Sequence, residues 1–88
     1  MKYKVEYSSS ALKDLEKMDK SISKMLQAWI AKNLNDTETP RAFGKALKGS
    51  LHGLWRYRIG DYRIIADILD EKIVIVLLEI GHRSNIYK

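Results

Sequence analysis

The sequence predicts an α+β domain in the order β-α-α-β-β-β, with a helical hairpin packed on a small, mainly antiparallel sheet. Three observations carry this expectation. The first seven residues alternate in polarity, the next stretch places apolar residues at helical spacing, and the second half holds strand-like runs joined by short turns. Eighty-eight residues make a single domain over 1–88, with no room for a second core.

At the N-terminus, Tyr3, Val5 and Tyr7 point one way and Lys2, Lys4 and Glu6 the other, as in a half-buried strand. Ser8, Ser9 and Ser10 offer hydroxyls to cap a helix whose stripe is Ala11, Leu12, Leu15 and Met18. Asp19-Lys20-Ser21 breaks that pattern and supplies a second cap. Ile22, Met25, Leu26, Trp29, Ile30 and Leu34 then form one continuous stripe, read as core packing. Asn35 to Pro40 ends the second helix. Arg41 to Gly53 reads as a loop carrying Arg41, Lys45, Lys48 and His52 without an acidic residue. Its glycine spacing does not match a phosphate-binding P-loop.

Gly60-Asp61 between alternating runs is a hairpin signal, since glycine opens a type II′ turn. That turn sets Ile59 opposite Tyr62, Arg58 opposite Arg63 and Arg56 opposite Ile65. Trp55, Tyr57, Ile59, Tyr62, Ile64 and Ala66 then share one side, while Arg56, Arg58 and Arg63 share the other. A tight turn at Asp70-Glu71-Lys72 leads into Ile73 to Ile80, nearly all apolar and so expected at an interior position of the sheet. Glu79 is the exception and is expected to pair with one of the arginines. The chain closes on Gly81-His82-Arg83-Ser84-Asn85-Ile86-Tyr87-Lys88.

Sixteen Lys and Arg against eleven Asp and Glu give a net charge of +5, which favours an anionic partner. The absence of cysteine removes thiolate nucleophiles and Cys-ligated zinc, and two histidines thirty residues apart do not suggest a metal site. The N-terminus lacks the apolar core of a signal peptide and no run approaches a membrane span, so an intracellular, cytoplasmic protein without cofactor or membrane partner is expected.

Like charges directly opposite in a hairpin cost a few tenths to about one kcal/mol per pair. Three guanidiniums on one face therefore point to an anionic ligand; the plainer reading is a solvated face whose long side chains splay into water. His82, Arg83 and Tyr87 are expected to converge on the arginines at one concave surface. No carboxylate pair suits glycoside hydrolysis, and no Ser-His-Asp or Cys-His set has sequence support. An arginine-rich site with a Tyr and a His suits RNA cleavage, in which the substrate's own 2′-hydroxyl is the nucleophile.

The N-terminal strand, the helical hairpin, Lys45-Ala46-Leu47-Lys48-Gly49, the Trp55–Arg63 hairpin and the closing Gly81–Tyr87 segment together resemble a toxin of the RelE/ParE superfamily, in its RelE-like mRNA interferase branch. The resemblance covers essentially the whole chain. It implies a ribosome-dependent, metal-independent endoribonuclease that cuts mRNA in the ribosomal A site. It also implies an acidic, partly disordered RelB-like antitoxin, with operator DNA contacted only through the toxin–antitoxin complex. By position, Arg56 and Arg58 match the family's basic pair, Arg63 the arginine after the turn, Arg83 the arginine of the tail and Tyr87 the terminal tyrosine. Arg63 and Arg83 would hold the scissile phosphate and Tyr87 would orient the nucleotide. Arg41, Lys45, Lys48 and Arg56 would contact RNA or ribosome. The family often has lysines at the basic pair, and Arg58 is poorly suited as a base because guanidinium scarcely deprotonates. His82 is then the better proton-transfer candidate. A ParE-like gyrase inhibitor acting by binding alone would share the fold, and a plain nucleic-acid-binding module would keep the basic loop and make Tyr87 dispensable. The tail triad favours the nuclease.

Overall fold

The computed structural model describes residues 1–84, so Tyr87 lies outside the described residues. Strand β1 (Lys4–Tyr7) leads into helices α1 (Ser9–Lys17) and α2 (Lys20–Asn33), which are followed by β2 (Lys45–Ala46), β3 (Trp55–Ile59), β4 (Tyr62–Leu69) and β5 (Val74–His82). The two helix starts are built by the expected caps. Ser8 Oγ accepts the Ala11 N–H at 3.0 Å, and Asp19 Oδ1 accepts the Ser21 N–H at 2.8 Å. The five strands lie in the order β1-β5-β4-β3-β2, with only β1 and β5 parallel. β5 is thus an interior strand, as its apolar run predicts.

One face of the sheet is covered by the helices. Ala11 and Leu15 of α1, with Leu26 and Ile30 of α2, pack on Tyr57, Ile64, Ala66, Ile75, Leu77 and Ile80. Burying these side chains is the main stabilising term, about 1.5–3 kcal/mol for each large aliphatic one. Leu12, expected in the buried stripe, is 48% exposed. Asp14 turns inward instead and accepts the Ile80 N–H at 2.9 Å. The cause lies in the sheet: β1 pairs with β5 only as far as Leu77, so the next outward-facing amide of β5 needs an acceptor from α1.

The hairpin register is as predicted, with Ile59 opposite Tyr62, Arg58 opposite Arg63 and Arg56 opposite Ile65. Gly60 has φ +59° and Asp61 does not have positive φ, as a type II′ turn requires. Three features differ from the sequence expectation. Ile73 closes the β4–β5 turn in the left-handed region (φ 56°), so the strand begins one residue later. The expected loop 41–53 contains β2 and a 3-10 turn (Gly49–Leu51). It is fastened by Tyr57, whose buried hydroxyl donates to the Pro40 carbonyl at 2.6 Å, and by Trp55, whose indole N–H donates to the Phe43 carbonyl at 2.7 Å. Burial pushes the Tyr57 phenol far above its ordinary pKa, so it stays a donor at any working pH.

The third difference is a β-bulge in β5. Ala66 pairs with Leu77 and the preceding Ile65 with Glu79, leaving Leu78 as an extra residue. Every side chain of β5 after the bulge therefore faces the side opposite to that given by simple alternation from Ile75.

Candidate active site

The sheet face away from the helices carries the basic cluster. Cross-strand pairing sets it out in two rows. Lys45 of β2, Arg56 of β3, Ile65 of β4 and Glu79 of β5 form one row; Arg58, Arg63 and Gly81 form the next. Ile65 is only 4% exposed yet stands outside the helix-side core cluster, consistent with its place on this second face. Arg56 stands beside it in the same row and is itself half-buried.

Two guanidinium nitrogens in the cluster, Arg56 Nε and Arg63 Nη1, are buried with no hydrogen-bond acceptor among the described residues. A buried, unsatisfied charged donor costs more than a solvated one, about 1–3 kcal/mol or above. Arg63 also sits directly opposite Arg58, so two positive charges share one pair position. The arrangement favours a multiply charged anion with several acceptor oxygens, which satisfies both demands. Arg83 stands at the hairpin tip, beside Asp61. Its backbone N–H donates to the Asp61 carbonyl at 2.8 Å, and its Nε lies 3.9 Å from Asp61 Oδ1 in a loose, exposed pair.

His82 does not join the arginines. It pairs with Tyr62 on the helix side of the sheet, with the two rings edge to face at 5.5 Å. Its Nδ1 is 2.8 Å from Ser84 Oγ. The bulge explains this placement, because unbroken alternation from Ile75 would have brought His82 to the arginine face and turned Glu79 away. Glu79, expected to pair with an arginine, is exposed on that face and forms no ion pair among the described residues. Its signal in the sequence is a lone carboxylate near the end of an apolar run, two residues before Gly81.

Arg41 is also committed elsewhere. Its guanidinium makes a bidentate contact to Asp70 at 2.9 and 3.0 Å, and it lies 6.0 Å from the Trp55 ring centroid. Tyr3 Oη donates to the same carboxylate at 2.6 Å, joining the N-terminus, the loop and the β4–β5 turn. Arg41 first, then Tyr3, hold the Asp70 carboxyl below the ordinary carboxylate range. A depressed folded pKa stabilises above the unfolded value of about 3.9 and loses that contribution as pH falls through the folded pKa. Wild type should therefore melt above Asp70→Asn at pH 6, with the gap closing on acidification towards pH 2. A gap that is constant over that range would exclude the linkage. Lys48 is exposed beside the 3-10 turn. Among the described residues no cluster of three His, Asp or Glu side chains is placed to hold a metal ion, and no helix is long and apolar enough to cross a membrane.

A family profile described as the ParE toxin of the type II toxin–antitoxin system parDE matches residues 5–87. The chain belongs to the RelE/ParE superfamily of type II toxins. The toxin is 32% identical over 88 residues to toxin RelG of Mycobacterium tuberculosis, covering 100% of this chain and 99% of that one. It is 25% identical over 91 residues to the mRNA interferase toxin RelE of Escherichia coli K12, covering 99% and 92% respectively. Its fold is similar to a chain in the crystal structure of the toxin–antitoxin complex RelBE2 from M. tuberculosis, with TM-score 0.85, 30% identity and coverage of 94% of this toxin and 100% of that chain. The expected α+β architecture is thus shared with that chain.

Proposed function

We propose that this toxin is an endoribonuclease that cuts mRNA in the ribosomal A site and so inhibits translation. The observation that carries the reading is the pair of buried, unpartnered guanidinium donors, Arg56 Nε and Arg63 Nη1, on a face where Arg58 stands opposite Arg63. In RNA cleavage the 2′-hydroxyl attacks the adjacent phosphorus, the bond to the 5′-oxygen breaks, and negative charge accumulates on the phosphoryl oxygens. Arg63 and Arg83 hold that phosphate, with Arg58 stabilising the developing charge. Arg56, Lys45 and the more peripheral Lys48 guide the RNA backbone. Arg41 serves the loop instead of the RNA, being held by Asp70. Tyr87, outside the described residues, keeps its expected role of orienting the nucleotide. DNA lacks the 2′-hydroxyl and would not react by this route.

The partner that restrains the toxin is a RelB-type antitoxin, acidic and partly disordered when free. Leu69, Val74 and Val76, half-exposed on the face not covered by helices, offer apolar seats beside the cations, where such a segment would fold on binding, with the expected Ile65 buried beneath them at 4% exposure. Operator DNA is reached through that complex, and the ribosome supplies the mRNA.

The test is in vitro translation followed by primer extension along the mRNA. Cuts within ribosome-occupied codons are expected with wild type and not with Arg83→Ala. Intact mRNA and unimpaired translation with folded toxin would sink the reading. Inhibition of DNA supercoiling by gyrase would then support the binding-only alternative suggested by the ParE description.

A further inference from the structure

We infer that Glu79 is the proton acceptor for the attacking 2′-hydroxyl, an inference that rests on the nuclease reading above. The case is built on placement. The bulge at Leu78 turns Glu79 onto the arginine face, opposite Ile65 and in the row of Arg56 and Lys45. Two residues further along β5, Gly81 lies opposite Arg63 and carries no side chain, so the surface dips there. Glu79 and Arg83 stand on either side of this notch along the chain, with Arg63 across the strand pair.

A phosphate seated over Gly81 is held by Arg63 and Arg83, which leaves the flanking ribose towards Glu79. The other carboxylates of this face, Asp67 of β4 and Glu6 of β1, stand opposite Val76, a row further from Gly81 than Glu79, and Lys45 is on the edge strand β2, three strands from β5. Arg56, Arg58 and Arg63 stay protonated at any working pH. His82 is across the sheet against Tyr62, and Asp61 is at the tip facing Arg83. Glu79 is exposed and makes no ion pair among the described residues, so its oxygens are free to accept.

The step balances as a transesterification. The 2′-hydroxyl proton passes to the Glu79 carboxylate as the 2′-oxygen bonds to phosphorus. The bond from phosphorus to the 5′-oxygen breaks, and that oxygen takes a proton from water. The products are a 2′,3′-cyclic phosphate and a 5′-hydroxyl. Glu79 then returns its proton to solvent.

The experiment is single-turnover cleavage of mRNA on programmed ribosomes, with toxin concentration varied to separate kcat from KM. Glu79→Gln keeps the shape and hydrogen bonding but not the basicity, and should lower kcat about 100-fold or more with KM little changed. Glu79→Asp, a shortened carboxylate, should retain part of the rate. Glu79→Gln cleaving as fast as wild type would overturn the assignment alone. So would Gln and Asp variants equally slowed, or an effect confined to KM. Wild type leaving mRNA intact would overturn the nuclease reading and the assignment together.

Discussion

Replacing Arg63 by alanine is expected to slow mRNA cleavage about 100- to 1,000-fold, the usual cost of removing one preorganised charge-stabilising donor. Arg63 occupies the centre of the basic face, between Arg58 across β3 and Gly81 across β5. Its Nη1 is buried without an acceptor among the described residues, so the free toxin carries the desolvation penalty before any substrate arrives. Catalysis then benefits because the donor is already oriented where charge develops. The same logic predicts an inverse effect on stability. Arg63→Met keeps an apolar stem over the sheet and removes the like-charge pair with Arg58, worth a few tenths to about one kcal/mol. It should be inactive in primer extension yet melt at or above the wild-type temperature. A Met variant that is clearly less stable would show that Arg63 contributes to the fold, and the site argument would lose its force. Arg63→Lys, charged but without the fork, should recover only part of the rate.

The largest loss of stability from a single added methyl is expected at Gly44. Its φ is +84°, and a Cβ there would meet the Arg56 carbonyl oxygen at 2.1 Å and the Trp55 indole nitrogen at 2.8 Å. The first obstacle is backbone, which cannot rotate away. Gly44→Ala must therefore push β2 off β3 and weaken the bond from the Trp55 indole to the Phe43 carbonyl. A cost of about 2–3 kcal/mol follows, or roughly 10 °C or more in melting temperature for a chain of this size. Gly49 and Gly53 provide the comparison. Both have positive φ but nothing within 4 Å of an added Cβ, so alanine there should cost only about 1–2 kcal/mol of backbone strain. Equal melting temperatures for the three variants would show that the close approach at Gly44 is relieved without cost.

Most of the architecture was legible because it is local. Ser8 and Asp19 announce their helices, the Gly60-Asp61 turn fixes the register of β3 on β4, and that register alone assembles Arg56, Arg58 and Arg63. What was not legible is non-local or silent in the pattern. Arg41 finds Asp70 across 29 residues, a pairing that no spacing rule announces. Leu12 loses its place to Asp14 because of an unpaired amide on a strand 66 residues away. The bulge left no trace at all, since Val74 to Leu78 is apolar throughout and cannot reveal which residues face which side. That uniform run conceals both the place of His82 on the helix side and the chemistry open to Glu79 on the arginine face.

That one unpaired leucine makes β5 a counting device. Which chemistry appears on each surface depends on how many residues of the strand are paired across the sheet, not on how many it contains. Losing Leu78 alone would close the bulge and leave Glu79, Ile80 and His82 on the surfaces they occupy, since Leu77 and Glu79 already stand opposite the consecutive Ala66 and Ile65. Losing a paired residue such as Ile80, with the bulge kept, would instead bring His82 opposite Arg63, on the arginine face. The toxin's site is therefore specified by pairing as much as by identity, and inheritance of its chemistry requires that the paired residues keep their count.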